Sequence, residues 1–193
     1  TLAERMPEIR LNIGIALALV LAFSFLDHLI LEGDALRTVN WIERIVMAPL
    51  LLLALLGTHM RAVERNFRWV AALVAGLIGL AVVACQVRMY EAGIHLIVPS
   101  LILTALYIYF FPALFFFEAA IVNVVVFVGY LVSAWVLDVP SGPLVYNGFV
   151  LMFANLVGTS VSYAFEISRR TTFLESILLN ELVANDGLTG IHN

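Results

Sequence analysis

Six long apolar runs decide what this chain can become. They extend from about Leu11 to Leu31, Ile42 to His59, Trp69 to Val87, Gly93 to Phe111, Ala113 to Leu137 and Leu144 to Phe165. Each is close to the ~20 residues an α-helix needs to cross a bilayer. They are continuous rather than alternating and about twice the length of a barrel strand, so they predict helices rather than strands. The expected fold is an all-α membrane protein with six transmembrane helices. Composition agrees, since the chain is 63% hydrophobic and 12% charged, whereas a soluble domain is about half apolar. The net charge of -4 gives no nucleic-acid footprint. Cys85 is the single cysteine, so no disulfide forms within one chain. The first run exceeds a signal-peptide core, and "DHLILEGD" follows it with no small-residue cleavage site, so it reads as a retained helix.

Orientation follows from arginine, because all ten basic residues are Arg. With six alternating helices, Arg5, Arg10, Arg61, Arg65, Arg68, Arg169 and Arg170 fall on one side, and only Arg37, Arg44 and Arg88 on the other. Both termini are therefore expected in the cytoplasm. Trp41 and Trp135 fall near the outer boundary and Trp69 near the inner one. No loop is long enough for a separate domain; "EGDALRTVNW" reads as the longest outer loop.

After the sixth run the character changes. In "EISRRTTFLESILLNELVAND", Ile167, Leu174, Leu178 and Leu182 recur at helical spacing, widened by Ile177. This stripe predicts a cytoplasmic linker helix over 167–185, either lying on the membrane surface or continuing the last span as a parallel two-chain coiled coil. Glu181 interrupts the seam.

The last eight residues, Asp186-Gly187-Leu188-Thr189-Gly190-Ile191-His192-Asn193, resemble the opening motif of GGDEF-type diguanylate cyclase domains, Asp-x-Leu-Thr-Gly-Leu-x-Asn. Ile191 stands where that pattern has Leu. Asp186 can satisfy backbone donors and the glycines permit a sharp exit. The preceding segment is also similar to the linkers of bacterial diguanylate cyclases and of membrane-bound class III adenylyl cyclases. The resemblance covers about the last 25 residues by motif and the rest by architecture. It implies a six-helix sensor domain over 1–166, a linker over 167–185 and the start of a GGDEF domain at 186–193. It further implies a parallel homodimer in a bacterial inner membrane, regulation of cyclic di-GMP synthesis from GTP, and Mg²⁺ at the catalytic domain. The residues given carry no Gly-Gly-Asp-Glu-Phe signature and no catalytic group of their own. Ile167, Leu174, Leu178, Leu182, Asp186, Thr189 and Gly190 are the expected transmission residues.

The signal must then be received by polar residues among the helices, where they are costly and usually face protein or a cavity. Asp27, His28, Glu43, Arg44, Glu91, His95 and Asp138 share the outer depth and are expected to form an acidic, His-containing mouth. They read either as solvated helix ends with mutual salt bridges or as a ligand site. Two imidazoles and carboxylates suit a divalent metal, with His28, His95 and Asp27 as ligands. Alternatively, His28 and His95 hold a single b-type haem, which would make the chain a membrane redox protein. A deeper polar pocket is expected from Thr104, Asn123 and Asn155, which read equally as interhelical glue. Glu118 is expected to pair with Arg61 or His59. Gly76, Gly79, Gly129 and Ser133 permit close helix approach, and "YIYFFPALFFFE" predicts a packed hairpin turning at Pro112. Transport is disfavoured, since no internal repeat or broken-helix pair stands out.

Overall fold

The computed structural model describes residues 5–60, 66–94 and 98–184, with side chains to Leu179 in the last segment. Among the described residues there is helix and no strand. Helix α1 (Met6–Leu26) has Pro7 in its first turn, where a missing N–H costs nothing, and runs into a 3₁₀ turn at Asp27–Leu29. Helix α2 (Gly33–Trp41) continues through a π-helical turn (Ile42–Met47) into α3 (Ala48–Gly57). Then come α4 (Phe67–Glu91), α5 (Val98–Phe110), α6 (Phe116–Val136) and α7 (Ser141–Ala184). Five stretches are long and apolar enough to cross a membrane: Met6–Leu29, Gly33–Gly57, Phe67–Glu91, Phe116–Val136 and Ser141–Leu179. The fourth run is shorter, its helix α5 having 13 residues, or ~20 Å at 1.5 Å per residue.

One sequence expectation changes. The stretch "EGDALRTVNW" is not a loop, because from Gly33 to Trp41 it is helical and joins the second span. It folds because Val39, fully buried, packs with Leu31 and Cys85. On the exposed side Arg37 pairs with Asp34 one turn back. At the end of the bundle, of the two linker arrangements expected, the backbone continues the last span. The last span and the linker form one helix of 44 residues with no break at 166, ~66 Å long against a bilayer core of ~30 Å. No proline or glycine interrupts it after Gly158, which is why it runs on. Ile167, Leu174 and Leu178 on this helix are exposed. The side chain of Leu182, and Arg61, Arg65, His95, Asp186, Thr189 and Gly190, lie outside the described residues.

Helix α4 packs most extensively on α6, α5 on α7, and α1 on α3. The α4–α6 approach is set by glycine: a Cβ on Gly79 would overlap Val126, and one on Gly129 would press on Leu80. Gly158 of α7 plays the same part against the ring of Tyr109 on α5. Outward-facing Leu53, Leu73, Trp135 and Val145 are exposed, as lipid-facing positions of a membrane bundle are. Pro112 does lie in the turn of an aromatic hairpin between α5 and α6, with Phe111, Ala113 and Leu114 buried.

Polar contacts sort the helix ends into two faces. Arg10 donates from Nε to the Thr58 hydroxyl and from Nη2 to the Thr58 carbonyl, both at 3.0 Å, tying the start of α1 to the end of α3. Arg68 at the start of α4 pairs with Glu118 at the start of α6 at 2.6 Å. The Phe116 N–H donates to Glu166 Oε2 of α7 at 3.0 Å. This face therefore carries Arg10, Arg68, Arg169 and Arg170. The opposite face carries Asp27, Arg88, Glu91 and Asp138, where α1, α4 and α6 end.

Candidate functional site

The site is built around a defect in a helix. Pro49 has no N–H to offer the carbonyl of Ile45, four residues back. The turn before it is widened, and Ala48 N–H donates to the carbonyl of Glu43, five residues back. Single π turns of this kind sit preferentially at functional positions. The widened turn leaves both Glu43 and Met47 buried.

On α1, Ser24 organises the neighbourhood. Its hydroxyl donates to Asn40 Oδ1 at 2.6 Å and accepts from Arg44 Nε at 2.8 Å. The Ser24 carbonyl lies 2.9 Å from Nδ1 of His28, which leaves Nε2 of that exposed ring facing outward from the contact. Asp27 and Glu43 are 5% and 7% exposed. Their carboxyls lie within hydrogen-bonding reach of each other. Arg44 thus binds the hydroxyl of Ser24 rather than closing a salt bridge on either acid. Glu43 Oε2 is buried without a hydrogen-bond partner.

Facing this pair, α4 presents Cys85, within electrostatic range of both carboxyls, and Gln86, 5% exposed. One end of the Gln86 amide bonds the Ser100 hydroxyl on α5. Its Oε1 has no partner. Buried polar atoms are nearly always satisfied, so two orphaned groups lining one space stand out.

That space is a cavity of about 650 Å³ between α1, α3, α4 and α5, reaching from Asp27 and Glu43 to Ile13, Leu51 and Phe111. Along α1 this is 14 residues, or ~21 Å. Its unpartnered polar groups gather toward one end. Thr104 is engaged with the Ser100 carbonyl at 2.8 Å, and the Tyr107 hydroxyl donates to the Asn12 carbonyl at 2.6 Å. The walls between are aliphatic and aromatic. Leu19, Phe23 and Leu26 of α1 and Leu103 of α5 line it and are exposed, so it opens on the apolar flank between these helices.

The expected mouth is thus brought together in part. Asp27, His28, Glu43 and Arg44 meet. Glu91 is exposed and pairs with Arg88 at 2.7 Å, as solvated helix ends do. Asp138 is exposed in the turn after α6, with a positive φ of 49°. His95 lies outside the described residues, among which no three His, Cys, Asp or Glu side chains group in a way that would hold a metal ion. The expected deeper pocket is divided. Thr104 lines the cavity, whereas Asn123 of α6 donates to the carbonyls of Ala105 at 3.3 Å and Ala119 at 3.1 Å, joining α5 to α6. Asn155 accepts from the Tyr109 hydroxyl at 3.2 Å and serves the α5–α7 contact. Among the described residues, the partner of Glu118 is Arg68, not His59, because the close α4–α6 packing sets their first turns side by side.

Sequence reading missed Ser24, Asn40 and Gln86. Gln86 carried a signal: it is a lone amide inside "AVVACQV", where an uncharged polar group needs a partner or a purpose. Ser24 and Asn40 looked like ordinary small polar residues, and only the fold joins them.

No protein-family model matches this chain, and no curated protein matches it significantly.

Proposed function

We propose that the chain is a six-span membrane sensor and dimerisation region, lying in a bacterial inner membrane with both termini cytoplasmic, that regulates a diguanylate cyclase following it. The observation that carries the reading is the unbroken helix α7. It leaves the bundle as the last apolar span, continues over the linker stripe and leads to the Asp-Gly-Leu-Thr-Gly stretch that resembles the start of a GGDEF domain. A continuous helix transmits rotation or sliding without loss at a joint. Ile167, Leu174 and Leu178 stand exposed on it, and a second copy in parallel would cover them. Two GGDEF domains must meet to join two nucleotides in that family, so the same pairing serves the output.

Reception and output are mechanically connected on the inner face. Glu166 of α7 accepts from the backbone of Phe116, and its other oxygen pairs with Arg170. A shift of the α5–α6 hairpin therefore acts on α7 where it leaves the bundle. A signal that prefers one arrangement of α1, α4 and α5 shifts the population of arrangements by its differential affinity.

The test uses the protein with its natural continuation beyond Asn193. Membranes containing it are expected to convert GTP to cyclic di-GMP in a Mg²⁺-dependent reaction. Conversion of ATP to cyclic AMP would move the reading to the class III adenylyl cyclase relatives. Turnover of neither nucleotide by a well-folded dimer would overturn it.

A further inference from the structure

We infer that the cavity between α1, α3, α4 and α5 binds a single-chain amphiphile whose headgroup donates hydrogen bonds, held by Glu43 and Gln86, with its alkyl chain directed toward Ile13. The inference deepens the sensor reading by naming the ligand class, and its sensory meaning rests on that reading; the binding itself does not.

Three observations converge. The first is unsatisfied polarity at one end only, the Tyr107 hydroxyl near the other end being engaged by Asn12. Glu43 Oε2 and Gln86 Oε1, both on side chains more than nine-tenths buried, border the cavity without partners. Leaving such groups unmade is costly, and a ligand that satisfies them recovers that cost on binding. The second is shape. The cavity is about 650 Å³ and follows α1 for 14 residues, ~21 Å, which suits one extended chain. Its volume lies within the ~300–1,000 Å³ of small-molecule sites. The third is access. The exposed rim of Leu19, Phe23, Leu26 and Leu103 faces the lipid side of the bundle, so an apolar chain reaches the cavity from the bilayer without crossing water.

Charge selects the headgroup. Asp27 and Glu43 lie together; Arg44 is within electrostatic range of Glu43, but its Nε is bonded to Ser24 and it closes no ion pair on either acid among the described residues. An anionic headgroup would sit against two acids, so fatty acids and alkyl sulfates are rejected. An amine or hydroxyl gives Glu43 the donor it lacks and offers Gln86 a second hydrogen bond. An ammonium adds a charge-assisted bond. The binding order is therefore alkylamine above alkyl alcohol, with alkyl carboxylate far below. An ordinary phospholipid acyl chain fits the walls but leaves both polar groups unpaired.

The experiment uses the chain in lipid nanodiscs and a photoactivatable alkylamine probe, with labelled residues located by mass spectrometry. Labelling is expected on α1, α4 and α5 positions facing the cavity. It should be competed by dodecylamine, less by dodecanol, and not by laurate at equal membrane concentration. Glu43→Leu is expected to weaken dodecylamine competition by about tenfold or more, the value of one hydrogen bond to a charged group. Gln86→Leu is expected to weaken it less. If Glu43→Leu fails to fold, the competition order in the unaltered protein decides. Equal competition by dodecylamine and laurate would overturn the inference in favour of bilayer chains filling an apolar groove. Labelling spread over all lipid-facing helices, or protection of the cavity by a second copy's helix, would overturn it as well. Binding with no effect on nucleotide turnover would leave the ligand assignment standing and count against the sensor reading. Ligand-independent turnover together with failed binding would do the reverse.

Discussion

Two glutamates in this bundle are equally buried, at 7% exposure, and could hardly be treated more differently. Glu118 has Arg68 at 2.6 Å and accepts from the Phe115 backbone at 3.2 Å, and the guanidinium of Arg68 lies over the rings of Trp69 and Phe115. Glu43 lies against another acid, and one of its oxygens has no partner. Burying a carboxylate without compensation is expensive. The fold supplies that compensation at Glu118 and only part of it at Glu43, where Ser24 and Arg44 are near but one oxygen is left unpaired beside a cavity. Burial alone therefore does not mark function; the shortfall in partners does.

The largest effect is expected from breaking the satisfied site. Arg68→Ala leaves Glu118 buried without its cation, and unfolding of the bundle in mild detergent should become easier by ~2–3 kcal/mol, below the ~3–5 kcal/mol of a fully buried pair because Arg68 is 37% exposed. A shift under about half a kilocalorie would show that water reaches Glu118 and that the two glutamates differ less than their contacts imply.

Next comes the packing of α7 against α5, the helix that forms one wall of the cavity. Gly158→Ala would drive a methyl group into Tyr109, whose hydroxyl is fixed between Thr159 at 2.8 Å and Asn155. Overpacking of this kind costs ~1–3 kcal/mol, and the same unfolding assay reads it. Asn123→Ala removes interhelical glue worth ~0.6 kcal/mol on average in membrane bundles, a smaller loss by the same measure.

The smallest effect on stability, and the sharpest comparison, is Glu43→Met. A side chain of similar reach removes an unsatisfied group, so stability should change by less than ~1 kcal/mol and in the favourable direction if at all. Response to an amphiphile should be lost with it. A destabilisation as large as that of Arg68→Ala would place Glu43 among the structural residues.

Much of the architecture was legible in the sequence, because continuous apolar length is a direct physical demand of the bilayer. The glycine contacts at Gly79 and Gly129 and the turn at Pro112 were legible for a similar reason, since small or ring-bound residues have few other uses inside a span. The helix over Gly33–Trp41 was hidden because its polar residues read as loop, while its buried contacts come from Leu31 and Cys85, which are distant in sequence or on another element. The site was half legible. Charged residues at similar depth pointed to Asp27, His28, Glu43 and Arg44, but depth does not give direction around the bundle axis. Glu91 and Asp138 share the depth and face elsewhere. The π turn that buries Glu43 depends on Pro49, six residues on, a residue at a different depth from the charged cluster.

The most direct test of reception coupled to output is disulfide crosslinking of a Leu174→Cys variant in native membranes, with Cys85 replaced by Ala, measured with and without dodecylamine. A covalent dimer is expected whose rate of formation changes several-fold on adding the amine, with no change when Glu43→Met is also present. A crosslinking rate indifferent to the amine in the unaltered cavity, or a chain that never crosslinks at Leu174, would contradict it.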